Sequence, residues 1–408
     1  MVKKVNKKEW ICAWCFVILS ITVGQSVGES EGAAPWTPTW ADTLKKDLLK
    51  GYDPSIRPSQ HYNVTTVEAR ITITHVEINE IKSTLSVYGW MKFSWNDPKL
   101  TWNPANYGNL NVVRWDPTVV WRPDVVLYNN ADGSDQHHYG DTNVLVYNQG
   151  KVLWVPPTEY HAFCELNMRL WPFDYQKCIV KIGSWTFDGY MLNLTLGSEP
   201  EIETLVSNSE WKIVKISAER NVRYYPCCTE PYTDVTYNVT LQRQSDTHRA
   251  IVIVPALVII ILALSVFWLP LESGERIITN GIVAIMITIY LVYFAQQLPA
   301  ISGHTPLIVI FFSNTLLLTA FSTVICVIVL NVSKCKHQRP LPAILKRAAA
   351  CVGPFVGVGK KHFSLSEKGN DTIEYNHVHE WFKFGLALNR ASFIVYCVIF
   401  IICAFYSF

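Results

Sequence analysis

GERIITNGIVAIMITIYLVYFAQQLP, residues 274 to 299, is the stretch from which the rest of the chain is read. From Ile277 to Ala295 it holds no charged side chain. As a helix rising ~1.5 Å per residue, such a run crosses an apolar bilayer core of roughly 30 Å. Glu275 and Arg276 stand at one end, Gln296 and Gln297 at the other. Ile278, Ile282, Ile285, Ile289, Val292 and Gln296 recur every three or four residues and form one stripe. Thr279 and Thr288 point to opposite sides, so no polar face marks a watery path. Read alone, the run is a lipid-facing anchor, and any further role must come from its surroundings.

Those surroundings are membrane-like. Ile251 to Pro270, Pro306 to Val332 and Ala391 to Tyr406 are three more spanning candidates. The chain has 408 residues, half of them hydrophobic, with a mean hydropathy of +0.15. Its net charge of +2 offers no basic surface for nucleic acid. Cytosolic loops are rich in Lys and Arg. Lys334, Lys336, Arg339, Lys346, Arg347, Lys360 and Lys361 all fall between the third and fourth spans, which predicts both termini outside. Lys3, Lys4, Lys7 and Lys8 before the apolar run Trp10 to Val23, with Gly24, Ser26 and Gly28 after it, predict a signal peptide over 1–28. A first membrane anchor is the alternative, although the run is short for one. The expected organisation is an extracellular region over 29–248, spans one to three within 249–332, a cytoplasmic loop over 333–388 and a fourth span over 389–408. In that loop Asn331 to about Gly369 reads as irregular. Asp371 to Leu388 reads as an amphipathic helix running into the last span.

The extracellular region changes period. Trp40 to Gly51 is a short amphipathic helix with Leu44, Leu48 and Leu49 on one face. Val67, Ala69, Ile71 and Ile73 then alternate with polar residues, as do Leu85, Val87, Gly89, Met91, Phe93 and Trp95, and later Val235, Tyr237, Val239 and Leu241. Turn clusters at 96–98, 129–133 and 148–150 separate such runs. Alternating strands without intervening helices predict an antiparallel, Ig-like β-sandwich. All tryptophans but Trp381 lie before residue 270, and Trp95, Trp102 and Trp121 are expected to be packing residues. Asn63, Asn193 and Asn238 open glycosylation sequons on this side. Asn331 and Asn370 also match but fall on the cytosolic side. Four cysteines remain in the extracellular region: Cys164, Cys178 and the adjacent Cys227 and Cys228. Sequence permits three pairings of the four. The adjacent pair closes on itself as a strained ring or on two separate partners. Cys326, Cys335, Cys351, Cys397 and Cys403 are expected to be reduced.

At this point motifs accumulate. CELNMRLWPFDYQKC, residues 164 to 178, resembles the signature loop of Cys-loop pentameric ligand-gated ion channels. RYYPCCTEPY, residues 223 to 232, resembles the adjacent-cysteine loop of nicotinic acetylcholine receptor α subunits. VVLYNNADG (125 to 133) and GSWTFDG (183 to 189) resemble two more ligand loops of that branch. The resemblance implies a Cys164–Cys178 bridge and a loop closed by Cys227 and Cys228. It implies an agonist such as acetylcholine, whose quaternary ammonium donates no hydrogen bond and is held by aromatic faces at roughly 0.5–2 kcal/mol each. The principal face would be Tyr128, Trp185, Tyr225 and Tyr232. The complementary face, on the next subunit, would be Trp90 with apolar Leu145, Leu153 and Val155. Lys181 and Asp234 match residues that link loop movement to the strands. Arg243 matches an arginine that meets an acid on an upstream turn, where Glu77 and Glu80 flank the matching Asn79. The 164–178 loop would press on the linker Ala300 to Thr305.

The same resemblance makes the opening stretch a pore lining, with Ile278, Ile282, Ile285, Ile289, Val292 and Gln296 facing an axis. Glu275 would form the cation-selecting ring for monovalent or divalent cations. Relatives carry small polar residues at the first two positions and an acid at Gln296. Successive apolar rings here imply a high closed-state barrier. Both faces of the site lie in one chain, so a head-to-tail ring closes without a second subunit type. A homopentamer, or assembly with related subunits, in a synaptic plasma membrane is expected. Two rivals stand beside this reading: the same architecture gated by another amine, and a tethered binding protein that conducts nothing. No nucleophile elbow, phosphate loop or metal-spaced cluster suggests an enzyme or a cofactor. His137-His138 and His377-x-His379 read as solvated or structural.

Overall fold

In a computed structural model the described residues are 37–133, 137–203, 210–226, 228–298, 303–334, 340–358 and 373–407, with side chains from 377 to 406 in the last segment. The expected signal peptide, Cys227, Cys335, Asn370 and most of the 300–305 linker therefore lie outside them. A small unit joins the described part of Met1–Gly51 to Asn103–Leu110. Its helix α1, Trp40–Leu48, starts where expected because Thr39 and Asp42 form a reciprocal capping box. Tyr107 donates to Asp47 at 3.1 Å within the same unit.

The larger unit begins with two facing sheets. Strands β1 (Thr65–Asn79), β2 (Thr84–Thr101), β3 (Val112–Trp115), β4 (Val125–Leu127), β5 (Val144–Tyr147), β6 (Gln149–Trp154), β7 (Pro157–Phe163), β8 (Tyr175–Ser184), β9 (Leu192–Leu196), β10 (Glu201–Ile202), β11 (Trp211–Tyr224) and β12 (Pro231–Arg243) build them. One sheet runs β10-β1-β2-β6-β5-β3, with β7 also on β2 and β9 also on β1; the other runs β11-β12-β8-β4. The alternation read from sequence is the burial pattern: Val67, Ala69, Ile71, Leu85, Val87, Phe93, Val235 and Val239 are all inside. The expected sandwich of antiparallel strands is present, and β9 and β10 are added to it in parallel on β1. Both lie more than a hundred residues after β1 in the chain, so no hairpin dictates their direction and parallel pairing is open to them.

A register shift between Ile73 and His75 turns β1, so that Thr72 and Ile73 are both buried and Val76 resumes the core. Gly89 lies opposite Ile73 at this bulge, and a Cβ there would collide with the Thr72 carbonyl. Trp95 and Trp121 pack edge to face at 5.8 Å in the core. His138 is also structural, buried 5.5 Å from the Tyr160 ring.

Among the described residues, four helical segments are long and apolar enough to cross a membrane: α2 (Asp246–Trp268), α3 (Glu275–Gln297), α4 (Leu307–Lys334) and the His377–Tyr406 part of α6 (Ile373–Ser407). Between α4 and α6 lies α5, Ala343–Val352. The 331–369 segment is thus not irregular throughout. The run AILKRAAACV is alanine-rich, and alanine forms helix with the least loss of side-chain entropy. The last helix also begins well before the apolar run 391–406, since the amphipathic segment and the span are one continuous helix.

Helix α3 has two unlike faces. Arg276, Asn280, Val283, Ile287 and Phe294 are buried. Ile278, Ile282, Ile285, Ile289 and Val292 are each more than half exposed, and Gln296 is exposed with them. The buried face packs on α4, with Tyr290 stacked on Phe312 at 5.2 Å and Phe294 against the same ring at 5.2 Å. Asn280 donates to Ser322 at 3.2 Å. Arg276 does not turn to Glu275. It donates to the Val266 carbonyl at 3.1 Å and to Asn389 on α6, and this leaves Glu275 exposed at the helix end.

Candidate functional site

The Cys164–Cys178 disulfide is formed, and it closes a loop whose tip meets the membrane helices. Trp171 at that tip lies 5.9 Å from Phe294 at the end of α3 and 5.4 Å from His248 at the start of α2. The Leu307 amide of α4 donates to the Arg169 carbonyl at 3.0 Å. The loop therefore touches the residues on either side of the 300–305 linker.

The second sheet brings four separated aromatic residues around one cavity of about 500 Å³. Tyr128, Trp185, Tyr225 and Tyr232 line it with Asn129, Lys181 and Ser184. Tyr128 and Trp185 meet edge to face at 6.4 Å, and Tyr225 and Tyr232 do so at 5.8 Å. Edge-to-face pairs leave the electron-rich faces free to turn toward a cation. Tyr128 is fixed through its hydroxyl, which donates to the Ser184 carbonyl at 2.6 Å. Burial raises its phenol pKa, so the ring stays neutral. A Cβ on Gly183 would strike the Tyr128 ring, and only glycine lets the ring lie flat on β8. Cys228 is disulfide-bonded; Cys227 lies outside the described residues.

The sequence reading missed the residues that hold this cavity in shape. Asp124 accepts from Ser184 Oγ at 2.5 Å, from the Thr186 amide at 2.6 Å and from the Thr186 hydroxyl at 2.6 Å. It thereby pins the turn that carries Trp185. Asn129 accepts from the Lys181 amide at 3.1 Å and donates to the Phe163 and Ile179 carbonyls. Asp124 sits immediately before the 125–133 motif, but its partners are about sixty residues away, and nothing local marks it.

Trp90, Leu145, Leu153 and Val155 do not join that cavity. They lie on β2, on β5, on β6 and just after β6, in the other sheet. Trp90, Leu145 and Leu153 are partly exposed and Val155 is exposed. Below the cavity, Lys181 Nζ sits 3.1 Å from the buried Asp234 carboxylate and 5.6 Å from the Tyr128 ring. Asn221 and Thr236 also donate to Asp234, at 2.9 and 3.0 Å. Lys181 thus touches both the aromatic wall and β12, the strand that ends at Arg243.

Arg243 selects Glu80, at 2.5 Å, rather than Glu77. It also makes a two-pronged contact with Asp174 at 2.8 and 3.3 Å, reaches Glu210 at 3.3 Å and stacks on Trp211 at 4.2 Å. Asp174 is the acid of the Trp-Pro-Phe-Asp tip, so the cysteine loop and the last strand share one arginine. Burial opposes the Arg243 charge, but Asp174 and Glu80 outweigh it and raise its pKa. Glu80 is pushed up by burial, which the shared arginine does not fully offset. Among the described residues no group of three or more His, Cys, Asp or Glu is placed to hold a metal ion.

Comparison with known proteins agrees with this layout. Residues 41–245 match the model of the neurotransmitter-gated ion-channel ligand binding domain, and residues 252–352 match that of the neurotransmitter-gated ion-channel transmembrane region. The chain is 35% identical over 291 residues to acetylcholine receptor subunit alpha-type acr-16 of Caenorhabditis elegans, covering 71% of this chain and 58% of the relative. It is 33% identical over 304 residues to acetylcholine receptor subunit alpha-like of Manduca sexta, covering 72% and 59%. It is 32% identical over 307 residues to neuronal acetylcholine receptor subunit alpha-10 of Rattus norvegicus, covering 74% and 68%. The chain spans a little under three fifths of the length of the nematode and insect relatives. A sandwich bridged by the Cys164–Cys178 loop, four membrane-length helices behind it and both domain matches in that order lead to one statement: the chain belongs to the neurotransmitter-gated ion-channel family, whose members are channels and not enzymes.

Proposed function

We propose that the chain is a subunit of a cation channel opened by a small organic cation of the acetylcholine type. The observation that carries this reading is the cavity in which Tyr128, Trp185, Tyr225 and Tyr232 converge on one side only. A quaternary ammonium is the ligand that gains most from several aromatic faces and loses least from the scarcity of acceptors there. The open side is completed by a neighbour's Trp90, Leu145, Leu153 and Val155, with the Cys227–Cys228 loop folding over the ligand. Because one copy supplies both faces, five copies close a ring on their own. The exposed stripe of α3 then lines the axis and Glu275 rings its inner mouth, where carboxylates favour monovalent or divalent cations.

In this reading 1–28 is removed, 29–248 is extracellular and carries glycans at Asn63, Asn193 and Asn238, and 333–388 is the cytoplasmic loop. Both termini lie outside a synaptic plasma membrane. Agonist closes the cavity, Lys181 and Asp234 pass the movement to β12, and Arg243 ties β12 to the loop resting on α3 and α4. Agonist shifts the closed–open balance only by its differential affinity for the two states. A second reading, a tethered protein that binds but does not conduct, is favoured by the apolar stripe. Titration of the purified full chain with acetylcholine, followed by voltage clamp of the expressed chain, tests both. Saturable binding with a cation current supports the channel, and binding without current under any agonist leaves the second reading. No binding of any organic amine removes the proposal.

A further inference from the structure

We infer that Asn389 on α6 is a positioning residue for charge selection at the inner end of α3: it holds Arg276 inside the helix bundle and so leaves the Glu275 carboxylate without a neighbouring cation at the pore mouth. The inference rests on the cation-channel reading and adds to it a residue outside the pore-lining helix. Glu275 and Arg276 are consecutive, one acid and one base at the same helix end. A base free to reach that mouth would offset the field of the acid. The position of Arg276 therefore bears directly on what a passing ion meets there.

Three hydrogen bonds fix that position. Arg276 is only 1% exposed, although a guanidinium stays charged inside proteins. Its Nε donates to the Val266 carbonyl at 3.1 Å, and its Nη2 donates to Asn389 Oδ1. Asn389 Nδ2 donates in turn to the Phe267 carbonyl at 2.7 Å. Arginine only donates and a carbonyl only accepts, so the Asn389 amide can face in one direction alone. Asn389, Val266 and Phe267 are all buried. Both carbonyls lie at the C-terminal end of α2, where helix carbonyls run short of intrahelical donors and carry the negative end of the dipole. One amide thus ties the foot of α3 to the end of α2 and to α6.

The clamp has no redundancy. Arg276 Nη1 is enclosed without an acceptor, so loss of Asn389 leaves the Val266 carbonyl as the one remaining hydrogen-bond partner among the described residues. An underpaired charge inside an apolar bundle is strongly destabilising. A long basic side chain relieves it by extending its head toward water. The exposed acids at that end are Glu272 and Glu275, and both would draw the released guanidinium outward.

The test compares Asn389→Leu, which removes both of its bonds at similar volume, with Asn389→Asp, which keeps an acceptor for Arg276 but loses the donor to Phe267. Reversal potentials of the acetylcholine-evoked current in diluted salt give the cation-to-anion permeability ratio of the expressed full chain. A unit charge about 7 Å away in a water-like dielectric changes the local concentration of a monovalent ion about threefold, up for anions and down for cations. Asn389→Leu should therefore lower the ratio about threefold to tenfold, while Asn389→Asp keeps it near native. A native ratio in Asn389→Leu, or equal loss in both variants, overturns the inference, because Asn389 would then serve only the Phe267 carbonyl. A second measurement needs no current. Glu275→Cys in the purified, detergent-solubilised chain is labelled with anionic and cationic thiosulfonates, and labelling of the chain without that substitution is subtracted. Adding Asn389→Leu should raise the anionic rate relative to the cationic one by the same factor, and an unchanged rate ratio overturns the inference. If Asn389→Leu does not fold, Asn389→Ser, too short to reach Arg276 in the same way, replaces it in both measurements. Absence of current from the native chain under any agonist removes the channel reading, and the labelling ratio then decides alone whether Asn389 places Arg276.

Discussion

Replacing Arg243 by glutamine should cost about 3–5 kcal/mol of stability, the range for breaking a buried ion pair. Its guanidinium grips both oxygens of the fully buried Asp174, holds the largely buried Glu80 at 2.5 Å and lies on Trp211. Without it, two enclosed carboxylates face each other with no cation between them. Glu210 is half exposed and adds little. A glutamine amide returns one hydrogen bond at about 1 kcal/mol. The net loss is a large part of the roughly 5–15 kcal/mol that holds a domain folded. Asp174→Asn alone should cost less, about 1.5–3 kcal/mol, because Arg243 keeps Glu80 and Glu210. Together the two changes should cost at least ~1.5 kcal/mol less than their sum, since removing the acid relieves the orphaned charge left by removing the base. The readout is unfolding of the solubilised full chain followed by tryptophan fluorescence, with surface delivery counted in parallel. Strict additivity within about 0.5 kcal/mol would mean that Arg243 and Asp174 do not act as a pair, and the coupling argument built on them would fail.

Three further outcomes follow from the geometry. Asp124→Ala removes the acceptor for three hydrogen bonds that hold the Trp185 turn; acetylcholine affinity should fall about 5–30-fold in a binding titration, and unchanged affinity would show that the turn holds itself. Ile282→Ser and Ile278→Thr place hydroxyls on the exposed stripe of α3, so agonist-evoked current should rise under voltage clamp, and currents equal to the native chain would contradict a dewetting barrier. Glu80 titrates above its ordinary value of 4.5 in the folded chain because it is buried, so its contribution to stability is fullest below that value and is lost as pH rises through the folded pKa. Glu80→Gln, which cannot ionise, should therefore gain on the native chain between about pH 4 and about pH 7 in thermal scans, and a gap moving the other way would reverse the sign of the argument.

What the sequence determined by itself is everything written in neighbouring residues. Span length and hydropathy located α3 and its companions, period-two alternation located the core of β1, β2 and β12, and the Trp-Pro-Phe-Asp and Cys-Cys loops identified the family. These signals survive because each depends on residues a few positions apart. Tertiary structure alone decided the rest. Burial of Arg276 and Asn280 against the other helices turned the isoleucine stripe of α3 outward, although the stripe itself is apolar enough for either side. Strand register, including the bulge at Ile73, put Glu80 rather than Glu77 on Arg243. Asp124 and Asp174 were unremarkable carboxylates until chain closure brought partners about sixty and seventy residues distant to their oxygens. Such contacts depend on how whole sheets align, and no local period encodes that alignment.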